Sequence, residues 1–466
     1  MASPLTHRRM AIASIALLTI MSPGFCTAQG AAANPSGSAS ALFARSIVSQ
    51  PLTLGAALEL ALRNQPDLRV AEADLAILRA DSAFAGIPAF NPVVELQAGR
   101  GGPSLVSGSE HNLELAVSQE LELGGKRDAR MRLATARARA GAAEWGVKLQ
   151  ALESDVRARF GRALFLQDRL RLVNELAELD RHVVRSAQAR VLDGSMTPVT
   201  GRLTETDLLL LEAQGRRVHV ELRQSLVMLG IAIGWPLPDS TRLAGTLQVD
   251  SLRAPEDSVV ARALSARRAG GVLQAQIAVR RAELHLAERE AHPNITVGLG
   301  LARERRSFSH EDFSGDPAIV GGIAGARSTD DVWTARVSAP LALRQKNQAG
   351  RARASAEIVR SEAELVRYRI VTELEVLSTV RRFADATGLY QFYLDRSTHV
   401  RQDLGLIREA YADGRISLDS YLTQKGRLVD MLLGQLEAAD AYWTARGELE
   451  SAVGLDLEHI NERGGR

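Results

Sequence analysis

Between His111 and Val191 the spacing of apolar positions changes, and that change organises the chain. Leu113, Leu115 and Val117 alternate with Glu114, Ala116 and Ser118, the period of two that marks a strand with one apolar and one wetted face. Past the LELGGKR stretch, Leu121 to Arg127, the period lengthens. Leu149, Leu152, Val156, Phe160, Ala163, Leu166, Leu170, Val173, Leu176, Val183, Ala187 and Val191 follow mostly at steps of three and four, a single stripe along a helix. With no proline for about 65 residues, at about 1.5 Å rise each, such a helix runs roughly 100 Å. The globular mean is about 11 or 12 residues. No single compact core covers a rod of that length, so other segments of the chain have to lie along it.

The same reading places those segments. Thr53 caps a short helix carrying Leu54, Ala57, Leu58, Ala61 and Leu62, which Asn64-Gln65-Pro66 stops. A second helix, about Asp67 to Gly86, has Leu68, Ala71, Leu75, Leu78 and Ser82 on one side. Val94, Leu96 and Ala98 against Val93, Glu95 and Gln97 predict a strand over about 93–100, and Gly101-Gly102-Pro103 opens a loop after it. Beyond a turn from Leu192 to Pro198, a helical stripe resumes from Val199 to about Ile233 with Leu203, Leu210, Ala213 and Leu222. That return covers half of the rod, and the helix at 67–86, laid end to end with it, covers the other half. Residues 236–256, after Trp235-Pro236, form an irregular bridge.

The pattern then repeats. Ser118-Gln119-Glu120-Leu121-Glu122-Leu123 recurs as Ser338-Ala339-Pro340-Leu341-Ala342-Leu343, and Asp193-Gly194 as Asp413-Gly414, both 220 residues on. Leu229 and Gly234 recur as Leu449 and Gly454 at the same offset, while Pro88 and Pro293 lie 205 apart. The second strand pair therefore has a loop longer by some 15 residues, within Ser307 to Arg327. Ile295, Val297, Leu299 and Leu301 alternate with Thr296, Gly298 and Gly300, and Trp333, Ala335 and Val337 with Thr334, Arg336 and Ser338. Each half reads as helices, strand, strand, long helix, turn, helix. The expected boundaries are 51–235 and 257–455 for the repeats, 236–256 for the bridge and 456–466 for a C-terminal tail.

Composition fits long helices: 4% of residues are aromatic and only 15 are proline. At the N-terminus, His7, Arg8 and Arg9 precede an apolar run, Ala11 to Met21, and Cys26-Thr27-Ala28 supplies small residues before Gln29. Residues 1–28 are expected to be a secretory signal cleaved near Ala28, since about 11 apolar residues are too few for a membrane span of about 20. Residues 29–50, rich in Ala, Ser and Gly, form a flexible leader. Cleavage removes Cys26, the one cysteine, and takes the net charge from +2 to zero. A balanced charge gives no case for nucleic acid.

All four strands offer one aliphatic face and one small or polar face, as a barrel wall between lipid and water requires. Leu113, Leu115, Val117, Ile295, Val297, Leu299, Trp333 and Val337 are the expected lipid-facing residues. Four strands cannot close a membrane barrel, for which about eight are needed, and an open edge in lipid costs several kcal/mol per unpaired backbone group. Neighbouring copies have to complete the ring. Other chemistry is weakly signalled. His285, Glu288 and His292 share a helix face and read better as a solvated face than as a zinc site. No HExxH, phosphate-cradling glycine loop, nucleophile elbow or CxxC occurs, so neither catalysis nor a cofactor is expected.

These stretches resemble the TolC-like outer-membrane efflux proteins, and among them the outer-membrane component of cobalt, zinc and cadmium resistance systems. LTLGAALELALRNQPDL from Leu52, SQELELGGKRDAR from Ser118, HPNITVGLGL from His292, SAPLALRQKNQAG from Ser338 and REAYADGRISLDSYL from Arg408 carry the resemblance. It implies a mixed α/β membrane protein: a homotrimer in which each protomer gives four strands to a shared β-barrel, continued by an α-helical barrel across the periplasm. It implies a passive duct in the outer membrane, not an enzyme, working with a periplasmic adaptor and an inner-membrane proton-driven pump. Asp193, Gly194, Asp413 and Gly414 would then receive the adaptor at the periplasmic tip, and Tyr411 and Asp419 would narrow the pore. Ser420 and Thr423 stand where the family is usually acidic. Heavy-metal cations are the cargo the resemblance implies; drugs or organic solutes, and an exported coiled-coil scaffold outside any membrane, are the alternatives.

Overall fold

The protein's computed structural model describes residues 51–101, 109–245, 249–307, 327–341, 343–397 and 399–462. The expected signal and leader, the tip of the first strand loop and most of the Ser307–Arg327 insertion lie outside them. The chain opens with β1 (Leu52–Thr53), α1 (Leu54–Asn64) and α2 (Pro66–Phe84), then β2 (Val93–Gly101), β3 (Ser109–Leu121), α3 (Lys126–Leu192) and α4 (Pro198–Ile233). After β4 (Leu243–Ala244) come α5 (Glu256–Ala266), α6 (Arg268–Arg289), β5 (Ile295–Ser307), β6 (Arg327–Ser338), α7 (Gln348–Ser397), α8 (Val400–Ala412), α9 (Leu418–Val453) and α10 (Leu457–Asn461).

Helix α3 has 67 residues, as the stripe requires. Its start is set by two glycines in the left-handed region, Gly124 at φ 76° and Gly125 at φ 75°, which turn the chain from strand to rod. A Cβ on Gly124 would fall 2.7 Å from that of His292, so the approach admits only glycine. At the corresponding place before α7, Asn347 takes φ 53°, and its Nδ2 donates to the Ala287 carbonyl and the Glu290 carboxylate, both at 3.0 Å. Asparagine tolerates this region because its amide bonds locally.

Two columns flank α3. On one side lie α4 and α2 end to end: Gly234, which closes α4 at φ 72°, abuts the Asn64 carbonyl just before α2, and Leu75 and Leu78 of α2 close on Gly141 of α3. On the other side α3 packs on α6 and α9, and α7 packs on those two in turn. The rod is therefore covered twice, which is why Leu164, Phe165, Leu172, Ala177 and Val184 are buried beside the expected stripe. The largest core joins Phe165 and Leu166 to Phe383, Tyr390, Tyr442 and Leu449 at mid-height.

Three expectations give way. In α4 the buried residues include Gly201, Thr204, Gly215, Val218, Leu226, Leu229 and Ile233, whereas Leu203 and Leu210 are exposed, at 53% and 62%, as is Ala213. The helix carries two apolar stripes, and the sequence shows the outer one more plainly because the inner one is built partly of glycine and threonine. Residues 236–256 are not wholly irregular, since β4 pairs parallel with β1. The expected tail instead forms α10, with Leu457 and Ile460 buried and Asp456 capping it through His459 N at 2.9 Å.

Candidate functional site

Two regions stand at opposite ends of the long helices. The first is the sheet, which runs β2-β3-β5-β6 with every neighbouring pair antiparallel. Directly paired residues point to the same face. The register aligns Val94, Val117, Leu299 and Ala335 in one row and Leu96, Leu115, Leu301 and Trp333 in the next. Leu113 follows towards the far end, and Val297 with Val337, then Leu121 with Ile295, towards the helices. Glu95, Ala116, Gly300 and Thr334 make a row on the opposite face, as do Val93, Ser118, Gly298 and Arg336. Apart from Val93 on the polar side and Gln119 on the aliphatic side, these rows sort aliphatic from small and polar residues across all four strands. From Leu113 to Leu121 the aliphatic face extends about 27 Å at about 3.4 Å per residue. Among the described residues nothing covers it: Leu96 is 70% exposed, Val337 72% and Trp333 77%.

The second region is the far end of the helices, where the turns 193–197 and 413–417 come together. Each turn is built alike. Asp193 N and Gly194 N donate back to the carbonyls of Ala189 and Val191, Gly194 sits at φ 75°, and Thr197 caps α4 through Thr200 N. In the second turn Asp413 N and Gly414 N donate to Glu409 and Tyr411, Gly414 also sits at φ 75°, and Ser417 caps α9. Asp193 accepts from Ser195 N at 2.9 Å and Oγ at 2.5 Å, bonds that hold its carboxyl below the usual range. Asp413 pairs with Arg415.

Side chains join the turns across the helix pairs. Arg190, at the end of α3, donates to the carbonyls of Tyr411 at 2.8 Å and Ala412 at 2.7 Å, its guanidinium 4.9 Å from the Tyr411 ring centre. Tyr411 stacks on Tyr421 with centroids 5.1 Å apart. One turn of α9 further on, Lys425 is buried and donates to Asp180 of α3 at 2.8 Å and Asp207 of α4 at 3.1 Å. Burial pushes the Asp180 carboxyl up, against the pull of Lys425, and pushes the Tyr421 hydroxyl up as well.

The four turn residues Asp193, Gly194, Asp413 and Gly414 are thus brought to one exposed end. Tyr411 does not stand on a free wall: at 1% exposure it is held between Arg190 and Tyr421 inside the protomer. Asp419 is exposed in the first turn of α9. Sequence reasoning passed over Arg190, Asp180, Asp207, Tyr421 and Lys425, though Lys425 left a trace as one of four lysines among 57 basic residues. A compact ammonium between two carboxylates is work for lysine rather than the planar arginine fork. His285 lies beside Arg132 and Glu288, and among the described residues no three His, Cys, Asp or Glu side chains converge as a metal site.

A family model described as outer membrane efflux protein matches residues 57–245. The cobalt-zinc-cadmium resistance protein CzcC of Cupriavidus metallidurans is 26% identical over 298 residues, which cover 62% of this chain and 66% of that protein. Among solved structures, a membrane protein from Pseudomonas aeruginosa superposes with a TM-score of 0.67 at 16% identity, covering 86% of this chain and 92% of that one. The outer-membrane channel OprN gives 0.66 at 16% identity, with 89% and 92% covered, and CusC 0.60 at 16%, with 86% and 92%. The chain resembles the TolC-like outer-membrane efflux proteins, in sequence over 57–245 and in fold over most of its length.

Proposed function

From that resemblance we propose that this chain is the outer-membrane channel of a tripartite efflux system, a passive duct assembled from three copies. One observation carries the reading: the sheet and the helical layer are open at the same two edges. The strand order β2-β3-β5-β6 leaves the outer edges of β2 and β6 unpaired among the described residues, and the helical order from α2 with α4, through α3, then α6 with α9, to α7 parallels it. Because the four strands alternate in direction, β6 of one copy meets β2 of the next antiparallel, and copies close a ring without a parallel seam. Three such sheets make 12 strands, an even number within the range of outer-membrane barrels. The helical edges match this closure. Val70, Ile77 and Phe84 of α2, Leu203 with Leu210 and Val220 with Val227 of α4, and Val359 with Val366 of α7 are exposed and spaced by seven, the repeat of a coiled-coil seam.

In this reading residues 1–28 direct export, 51–235 and 257–455 are the two repeats, and the aliphatic face, including Leu113, Leu115, Val117, Ile295, Val297, Leu299, Trp333 and Val337, meets outer-membrane lipid. The turn end reaches across the periplasm, where Asp193, Gly194, Asp413 and Gly414 receive an adaptor that links the channel to an inner-membrane proton-driven pump. Asp419, exposed beside the second turn, lines the narrowed end in three copies. Heavy-metal cations are the proposed cargo, on the strength of the likeness to CzcC; organic solutes are the second reading, favoured by a chain whose one cysteine lies in the proposed signal.

Single-channel recording tests the duct. The purified protein should give trimer-sized conductance steps, with Asp419→Ala weakening block by divalent cations; the absence of any conductance from membrane-inserted protein rejects the duct, and unchanged block rejects the role of Asp419. Loss of cadmium and zinc tolerance on deletion, without loss of tolerance to organic solutes, separates the two cargo readings.

A further inference from the structure

The aliphatic face of the sheet ends, at the strand tips farthest from the helices, in a row of different chemistry. Arg100 of β2 pairs with His111 of β3, His111 with Arg305 of β5, and Arg305 with Thr329 of β6. Along each strand these residues are two steps beyond Ala98, Leu113, Arg303 and Asp331, so they stand on the aliphatic face, about 7 Å past its last row. Arg100, His111 and Arg305 are exposed, and none has an ionic or hydrogen-bonded partner among the described residues. Arg303, one row nearer, is engaged by Asp331 through Nε at 2.6 Å and Nη2 at 2.8 Å. The opposite face at the same height bears Asn112, Glu304 and Asp330. In these two rows the basic groups stand on the aliphatic side and the acidic groups on the other, while Asp331 on the aliphatic face and Arg306 on the opposite one depart from that division in the adjoining rows.

We propose that the row Arg100, His111 and Arg305 is a binding site for phosphate-bearing glycolipid headgroups in the outer leaflet. The proposal rests on the barrel reading, under which the aliphatic face meets acyl chains and this row meets the headgroup plane above them. Two free guanidinium groups on the strands either side of β3, with His111 between them, suit phosphate oxygens, which they grip with paired N–H donors. Clusters of basic residues beside an apolar span are the recurring protein side of anionic lipid recognition. The neighbouring Arg303–Asp331 pair, already neutralised, marks the boundary where the apolar surface ends.

The test uses the full-length protein purified in detergent and diphosphorylated lipid A as probe, read by native mass spectrometry. The unaltered protein should retain lipid A, and Arg100→Gln/Arg305→Gln should bind it about tenfold or more weakly, with the difference shrinking at high salt. Lipid A stripped of its phosphates should bind the unaltered protein as weakly as the intact lipid binds the variant. Equal affinity of the two proteins for lipid A overturns the proposal, as does full competition by inorganic phosphate at equimolar concentration, which marks a free-anion site. Heat-modifiable gel migration of both samples separates the failures: if it is present and lipid binding is indifferent to the substitutions, only this site falls, whereas its absence from the unaltered protein removes the barrel and the site together.

Discussion

The sheet and the turn end of the helices answer opposite demands. Among the described residues the sheet leaves its apolar side chains uncovered and both edge strands without partners. At the turn end the reverse holds: Tyr411, Tyr421 and Lys425 are buried, and Arg190 and the two buried or half-buried aspartates tie one helix pair to the other. A region that satisfies itself can stand alone and be switched by breaking a few bonds. A region that does not must be completed by its surroundings.

That contrast can be broken most severely at Lys425. Lys425→Met leaves Asp180 and Asp207 without their common cation, a loss of about 3–5 kcal/mol for a buried pair. Hydrogen exchange across residues 400–430 should accelerate by more than tenfold while heat-modifiable migration of the proposed barrel is unaffected. Restoring protection with a second change, Asp180→Leu, would assign the effect to the stranded carboxylates. On the sheet, if the proposed barrel forms, Leu115→Arg should cost about 2–4 kcal/mol per chain at mid-band and deplete the proposed trimer, whereas Glu114→Arg, one residue away on the opposite face, should leave it intact. Equal effects of the two substitutions would show that the faces are not distinguished by their surroundings.

A smaller effect is expected at Arg190, where substitution by Ala frees the Tyr411 and Ala412 carbonyls at about 1–3 kcal/mol and should loosen the second turn without disturbing the first. Limited proteolysis at 411–417 against 191–197 reads the difference. Smallest is a pH effect at α10. The hydrogen bond and charge of Asp456 raise the His459 pKa, so protonated His459 stabilises the docked helix fully below the ordinary histidine value. That contribution fades as pH rises through the raised value. Exchange protection of residues 457–461, corrected for intrinsic rates, should fall over that range, and His459→Gln should abolish the dependence.

Strong periodicity made most of the fold legible. The 67-residue α3 and the strands were visible because alternation and a long proline-free stripe each have one reading. Even the end-to-end placement of α2 and α4 followed from the length of the rod. The α4 stripe misled because Leu203 and Leu210 lie on an apolar stripe that is left exposed, while Gly201, Thr204 and Gly215 fill the inner face without looking hydrophobic. Helix α10 was hidden by its brevity: two buried residues, Leu457 and Ile460, leave no period to detect. At the turn end the Asp-Gly pairs announced themselves by their turn chemistry, but the Arg190 and Lys425 links join residues more than 200 positions apart, and no local pattern encodes them.

In the proposed assembly one chain holds only part of a closed wall. Because the one cysteine, Cys26, falls in the proposed signal, paired cysteines can be introduced on a silent background, one on β2 at Val94, Leu96 or Ala98 and one on β6 at Asp331, Trp333 or Ala335. These strands lie at opposite edges of the protomer, so a disulfide between them joins two copies. At least one register should yield covalent dimers and trimers, and none larger, on a non-reducing gel. Folded, membrane-inserted protein that stays monomeric at every register would contradict that assembly.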